Sequence, residues 1–428
     1  MCRWTLHINV ISISHLPKGM KVYKFGGASV RNADGIRNLA HIVSLVEGDL
    51  MVVVSAMGKT TNALERVLSA LMADDTTTAQ LEWKVLIDYH TAIIQELGLS
   101  VDILPIHNLP ALQDTANYDL SYDQLVSWGE LISTTIVNAY LRTQGTDSEW
   151  IDMTRLLRTD NTFRDANVDM SVSEQLIRSA MAQSDKHIFV TQGFIGGTAD
   201  GLRTTLGREG SDYTAALLGN MLDAESVTIW KDVPGILNAD PRLVEDTILI
   251  PELTYNDAVE LSYSGAQIIH PKTIRPLENK SIPLYVKPFA DPLAAGSVIS
   301  VSAQGPIDVP VYIWRKNQIL ITMRAKDFAF VLEESLSRIF DIIHRHRLKV
   351  SLIQSSAVTI SVCVDSSRYV EEAIRELQRD YRVTYNEGLS LLTIRGTTPQ
   401  IIHQETHNKT ILLSQTTRHT ARYVLRDN

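Results

Sequence analysis

The sequence predicts a two-part α/β protein: a doubly wound, mostly parallel open sheet flanked by helices, then a smaller ferredoxin-like βαββαβ unit. Three observations carry this reading. Strand-length apolar runs alternate with amphipathic helical stretches from Lys21 onward. MVVVSA at 51–56 is a short, continuous apolar run up to Ser55, as suits a strand buried on both faces of a parallel sheet. Beyond Pro288 the texture changes, with PFADPLAAGS and QGPIDVP preceding a new strand–helix series.

The elements follow in order. KVYKF (21–25) reads as a strand, and 34–46 as a helix with Ile36, Leu39, Val43 and Val46 on one face. MVVVSA leads through Gly58–Thr61 into a helix carrying Leu64, Val67, Leu68 and Leu71. Residues 81–145 read as helical, broken by a loop near Pro105–Pro110. Strands follow at 150–153, 187–191 and 226–230, with a helix over 212–222. In the second part, strands are read at 319–325, 350–353, 358–364, 382–385 and 389–394, with helices near 333–347 and 369–377. A shortened second copy ends the chain, with a stub helix near 399–404 and strands around 410–413 and 423–425. The domains expected are 20–300 and 312–428. Residues 1–19 are read as a disordered or mis-called extension.

Composition narrows the function. A chain of 428 residues with 44% hydrophobic and 21% charged residues suits a globular protein of two or three domains. A net charge of −9 argues against nucleic acid or an anionic membrane as partner. Only Cys2 and Cys363 are present, which fits a reducing cytoplasm. No apolar run reaches the roughly 20 residues that span a bilayer. No protein zinc site is read from the twelve histidines.

Three stretches suggest chemistry. Lys24-Phe25-Gly26-Gly27-Ala28-Ser29 puts a cation at a strand end beside two glycines, where backbone amides can approach a phosphate. A tight turn is the plainer explanation. Gly207-Arg208-Glu209-Gly210-Ser211-Asp212 opens a helix, with Ser211 or Asp212 as N-cap, amides facing an anion and Arg208 as a fork for a carboxylate or phosphate. A capped helix with a solvated arginine is the alternative. Trp230-Lys231-Asp232-Val233-Pro234-Gly235 ends a buried strand, where open α/β sheets bind ligands; a surface turn would look the same. His270 before Pro271 reads as a residue that starts a helix.

Taken as an ordered set, KFGGASV, VVSAMGKTTNAL, WGELIST, GFIG, TLGREGSDYTAALL, VTIWKDVPGI, LNADPR and GAQIIHP resemble the aspartokinases, over nearly the whole chain from Lys21. The resemblance implies the amino acid kinase fold, C-terminal ACT units, and ATP-dependent phosphorylation of the β-carboxylate of L-aspartate, the first step toward lysine, threonine and methionine. It implies Lys24 and Asp212 as catalytic residues. Lys24, Phe25, Gly26 and Gly27 would hold the ATP phosphates. Lys231, Asp232, Leu237, Arg242, Gln267 and Ile268 would lie along the nucleotide. Ser55, Thr61, Glu130, Phe194, Arg208 and Ser211 would surround aspartate. Mg²⁺ would arrive on the phosphates rather than on a protein cage. A homodimer or higher homo-oligomer is implied, with lysine or threonine as effector.

The chain departs from the family pattern in places. Ala28 stands for Thr, Glu209 for Gly, Lys231 for Thr, Leu237 for Tyr and Gln267 for Lys. Glu209 puts a negative charge beside an anion site, so it must turn away or find a partner. In 349–357, Ser351, Ser355 and Ala357 occupy places where lysine-sensing relatives often carry Asp, Thr and Glu, which weakens the case for a cationic effector. Two rival readings stay open: another kinase of the same superfamily, and a non-catalytic amino-acid sensor of the ACT type.

Overall fold

A computed structural model describes residues 19–112, 114, 116–244, 246–266, 269–303, 307–326, 333–418 and 420–427. Residues 1–18 of the expected N-terminal extension lie outside that set, as do Gln267 and Ile268. The described residues of Met1–Ile236, Pro251–Val259 and Ile269–Gln304 form one compact unit. Those of Leu237–Ile250, Glu260–Ile268 and Gly305–Asn428 form another. The division is therefore not a single cut near residue 300; two short excursions, 237–250 and 260–268, belong with the C-terminal unit.

The first unit is built on an eight-stranded sheet. Its strands are β1 (Lys21–Phe25), β2 (Leu50–Val54), β3 (Ser148–Ile151), β4 (Ile188–Gln192), β5 (Ser226–Lys231), β6 (Glu252–Leu253), β7 (Leu284–Pro288) and β8 (Ser297–Ile299). The order is β6-β8-β7-β5-β1-β2-β4-β3. All pairings are parallel except β7 with β8. β1, at the centre, pairs β2 on one side and β5 on the other, so Lys24 and Lys231 both emerge at strand carboxyl ends.

The flanking helices named below are α1 (Ala33–Ser44), α2 (Thr60–Met72), α3 (Thr76–Glu96), α4 (Trp128–Thr143), α5 (Gly210–Met221) and α6 (Pro271–Glu278). β2 is buried at every residue. Its Leu50, Val52 and Val54 join one core with Ile36, Leu64, Leu68, Ile94 and Ile136 from α1 to α4. Strand alternation sends the equally buried Met51 and Val53 to the other layer. There α5 approaches β5 so closely that a Cβ on Gly219 would collide with Val227.

The second unit carries a six-stranded antiparallel sheet. Its elements are β9 (Val311–Ala325), α7 (Glu333–Arg345), β10 (Val350–Ser355), β11 (Thr359–Asp365), α8 (Val370–Asp380), β12 (Tyr381–Arg395), α9 (Pro399–Thr406), β13 (Lys409–Thr416) and β14 (Thr420–Asp427). The order is β10-β11-β9-β12-β14-β13. Residues 318–325 of β9, with α7, β10, β11, α8 and the start of β12, make a complete βαββαβ unit. Its helices cover Ile319, Ile321, Val362 and Val364.

The shortened copy differs from the sequence reading. The expected strands 382–385 and 389–394 are one strand, β12, with a register shift where its partner β9 passes Arg315–Gln318. The second half of β12 pairs β14 on one side and Val311–Arg315 on the other. The copy thus borrows its fourth strand from residues that precede the first copy. Ile401 and Ile402 of α9 pack on Leu392, Ile394 and Tyr423.

Candidate active site

Three loops at the carboxyl ends of β1, β2 and β4, together with the first turn of α5, line a cavity of about 300 Å³. The lining includes Lys24, Gly27, Ser55, Thr61, Glu130, Phe194, Glu209, Ser211 and Asp212. Residues chosen from five separate motifs thus converge on one space.

Glycine explains the first loop. A Cβ on Gly27 would collide with the Ala56 carbonyl, so the turns after β1 and β2 can touch only there. Hydrogen bonds from Ser55 N–H to the Phe25 carbonyl (3.1 Å) and from Gly58 N–H to the Gly27 carbonyl (2.9 Å) lock them together. Phe25 itself turns its ring fully into the core, stacked on Trp230. Any part it plays in the site is confined to its backbone.

Lys24 and Asp212 form the central ion pair, Nζ to Oδ1 2.5 Å, with both side chains nearly buried. Burial would push the Asp212 carboxyl up, but the Lys24 and Lys231 charges outweigh it and hold Asp212 below the usual carboxylate range. The helix starts at Gly210, ahead of both cap candidates. Glu209 occupies the N-cap position and Ser211 and Asp212 lie in the first turn of α5. Asp212 is thereby free of capping and turned to the lysine.

Glu130, in the first turn of α4, is shifted the opposite way from Asp212. Burial pushes it up to about 8, against the opposing pull of the Ala56 amide and the Lys24 charge. Oε1 accepts the Ala56 N–H at 3.2 Å, while the buried Oε2 has no partner among the described residues. An orphaned carboxylate oxygen facing a cavity is a ready acceptor for a cationic donor. Nothing in the sequence around Trp128-Gly129-Glu130 announces this burial. The signal is spatial, since Gly129 fits only because it packs against Ala56 and Thr60.

Behind the second loop, α3 supplies a buttress that sequence reasoning missed. Tyr89 Oη donates to the Arg31 carbonyl at 2.5 Å. His90 is fully buried; its Nδ1–H donates to the Leu86 carbonyl at 2.7 Å and its Nε2 lies 3.3 Å from Thr60 Oγ1. Burial lowers the His90 pKa from 6.5 to about 4, opposed by the Leu86 bond. The neutral ring therefore contributes stability that is complete above pH 6.5 and is lost as pH falls toward 4. We expect the melting temperature to drop over that window, and His90→Gln to flatten the drop, measured by thermal scans between pH 4 and 7.

Other sequence-chosen residues lie elsewhere. Arg208 is exposed, between the lining residues Gly207 and Glu209 but not itself on the cavity wall. Lys231 is half-buried at the end of β5 and Asp232 is exposed. Leu237 and Arg242 belong to the second unit, where the Arg242 fork grips Asp240 (Nη2 to Oδ2 2.7 Å). His270 caps α6, accepting the Lys272 N–H on Nδ1, as its place before a proline suggested. His344/His346 and His403/His407 do have ligand-like spacings, yet among the described residues no three His, Cys, Asp or Glu gather as a metal site.

The tension at Glu209 is resolved by geometry. Its backbone is left-handed, φ 54°, a conformation costing a side-chain-bearing residue about 1 kcal/mol or more. Its Oε2 accepts the His270 N–H at 2.8 Å.

Comparison with known proteins adds a family. The sequence profile of the amino acid kinase family matches residues 19–288. The lysine-sensitive aspartokinase 3 of Escherichia coli (strain K12) is 32% identical over 394 residues, 88% of this chain and 86% of that one. Aspartokinase 1, chloroplastic, of Arabidopsis thaliana is 29% identical over 87% of this chain and 68% of its own. Among solved structures, E. coli aspartokinase III with aspartate and ADP superposes with a TM-score of 0.77 at 27% identity, covering 95% of this chain and 96% of that one. The same enzyme with lysine and aspartate gives 0.72 at 28% identity, covering 95% of each chain.

Proposed function

The chain belongs to the amino acid kinase family, among its aspartokinases, and from that premise we propose that this cavity transfers the γ-phosphoryl group of ATP to the β-carboxylate of L-aspartate. The observation that carries the reading is the Lys24–Asp212 pair sharing one cavity with the orphaned oxygen of Glu130. The product is 4-phospho-L-aspartate, which opens the route to lysine, threonine and methionine.

The chemistry needs little proton transfer. A β-carboxylate with a pKa near ~3.9 is already ionised and nucleophilic at neutral pH. One of its oxygens bonds to the γ-phosphorus as the bridging P–O bond breaks, and that bridging oxygen leaves with ADP. The barrier is electrostatic, because an anion approaches a polyanion. At ~4 Å and an effective dielectric of about 20, each like-charge pair costs roughly 4 kcal/mol. Lys24 lies where it can offset that charge, and the amides opening α5 add the positive end of a helix. Mg²⁺, carried on the phosphates, supplies further neutralisation when bound. Of the carboxylates lining the cavity, burial raises Glu130 toward its protonated form and Glu209 is tied to the His270 amide, so Asp212 is the one that would face the ion or orient Lys24.

Glu130 receives the α-ammonium of aspartate on its free oxygen. Arg208 takes the α-carboxylate, with Ser55, Thr61, Ser211 and Phe194 shaping the rest of the pocket. Gly26, Gly27 and the Phe25 backbone border the phosphates. Lys231, Asp232, Leu237 and Arg242 are assigned to the nucleotide, and Gln267 and Ile268 with them. The C-terminal sheet is assigned to ACT-type regulation in a homodimer or larger homo-oligomer, with a reducing cytoplasm as the setting. No helix among the described residues is long and apolar enough to cross a membrane.

An assay of ADP release tests the activity, run with aspartate, N-acetylglutamate, glutamate and nucleoside monophosphates as acceptors. Aspartate alone should support turnover. Release with another acceptor and not with aspartate would overturn the assignment, and release with none would favour the sensor reading. Lysine and threonine titrated into the same assay test regulation. Because Ser351, Ser355 and Ala357 bring no carboxylate to 349–357, lysine should inhibit weakly or not at all.

A further inference from the structure

α5 and α6 run side by side in the same direction, fastened at both ends. At their carboxyl ends Asn220 Nδ2 donates to the Pro276 carbonyl (2.7 Å) and Lys280 Nζ to the Asn220 carbonyl (2.7 Å). Between them, Gly219 leaves just enough room for Leu277. At the amino ends the fastening is Glu209, whose carboxylate accepts the His270 amide. A second tie, the Lys272–Asp165 ion pair, joins the first turn of α6 to a residue pressed against Gly207.

Two parallel helices bring two positive ends together, which repel. A carboxylate between them offsets that repulsion, so Glu209 supplies charge as well as an acceptor. The backbone is strained to place it: Glu209 sits at φ 54°, where glycine would be unstrained, and its side chain makes no capping bond to its own helix. Strain kept at a cavity wall, three residues before Asp212, whose carboxylate pairs with Lys24, points to a use for the side chain.

We propose that Glu209 is a positioning residue for phosphoryl transfer. It holds the amino end of α6 against the amino end of α5, and so fixes the α5 amides and Asp212 relative to Lys24. The proposal rests on the aspartate kinase reading for its kinetic consequence only; the tie itself is independent of what the site turns over.

Three variants separate the contributions. Glu209→Gln keeps an acceptor oxygen and loses the charge. Glu209→Ala loses the tie and keeps the strain. Glu209→Gly loses the tie and sheds the strain. We expect Glu209→Ala and Glu209→Gly to lower kcat by about tenfold, with KM for aspartate changed less, because a misplaced transfer group costs rate before affinity. Glu209→Gln should retain most of kcat. Glu209→Gly should melt no lower than Glu209→Ala while being equally slow, a combination that a purely structural role would not give. Hydrogen–deuterium exchange over 269–273, measured without substrates, should speed up in the Ala and Gly variants and stay near wild type in Gln. Wild-type exchange in Glu209→Gly would overturn the tie whatever the enzyme's substrate. Accelerated exchange with unchanged kcat would overturn the positioning role. An inactive wild type, together with accelerated exchange in the Ala and Gly variants, would instead sink the aspartate kinase reading and leave the tie standing.

Discussion

Lys24→Ala should lower kcat by about a thousandfold, the scale on which a preorganised cation or donor stabilises a charged transition state. The expectation follows from position. Lys24 is a cation lining the cavity, and it emerges from the central strand of the sheet, which cannot shift to let another group take its place. A second effect has to be kept apart from the first. Removing the ammonium leaves Asp212 buried with Lys231 as its remaining opposing charge, and an under-compensated buried carboxylate destabilises the fold. Asp212 is held low by its cations, so its stabilising contribution is present above the ordinary carboxylate pKa of 3.8 and lost as pH falls further. In Lys24→Ala that contribution shrinks at neutral pH. The double variant Lys24→Ala/Asp212→Asn should therefore recover melting temperature without recovering turnover. Steady-state kinetics and thermal scans on both proteins check this. Turnover restored by the double variant would mean that Lys24 serves only to satisfy Asp212.

Glu130→Gln should raise KM for aspartate by about tenfold to a hundredfold while kcat falls less, since a charge-assisted hydrogen bond is worth roughly 1.5–3 kcal/mol and this one is made in both ground and transition states. The pH dependence is the sharper test. Burial pushes the Glu130 carboxyl up to about 8, so at pH 7 it is mainly protonated before aspartate binds. An ammonium needs the ionised form, and binding aspartate must release that proton. Wild-type KM for aspartate should accordingly fall as pH rises toward 8, and the Gln variant should lose that slope. Calorimetry at pH 7 in buffers of different ionisation enthalpy should count close to one proton released per aspartate bound. Folding stability runs the other way. The unfolded chain gives up this proton near 4.5 and the native state near 8, so Glu130 makes the fold progressively less stable across that interval as pH rises, and Glu130→Gln should remove the decline. No proton release would disconnect Glu130 from the ammonium.

Much of this was legible in the sequence because it is written in short-range pattern. The apolar run beginning at Met51, the 3.6-residue faces of α1 and α2, and the lysine and glycines closing β1 each declare themselves within a dozen residues. Asp212 and Glu130 could be picked out as residues, but not their states. Whether a carboxylate is depressed by two lysines or raised by burial depends on neighbours from other strands and helices. The N-cap of α5 was misplaced for a related reason. Ser211 and Asp212 are better caps by type, yet the turn from Gly207 carries the chain through a left-handed Glu209, and the ion pair to Lys24 claims Asp212. His90 gave no signal at all, since an isolated histidine on an apolar helical stretch looks the same whether or not it backs a catalytic loop.

The C-terminal sheet holds the remaining lesson. β9 and β12 each run through both of its halves, and one half takes a strand from either side of the other in the chain. The first half is one contiguous stretch of gene, from 318 to the start of β12, and it interrupts the second, whose strands lie on either side of it. A nonsense codon or a fusion junction placed anywhere between 311 and 427 removes a strand from one half or the other, so the pair can be inherited or discarded only together.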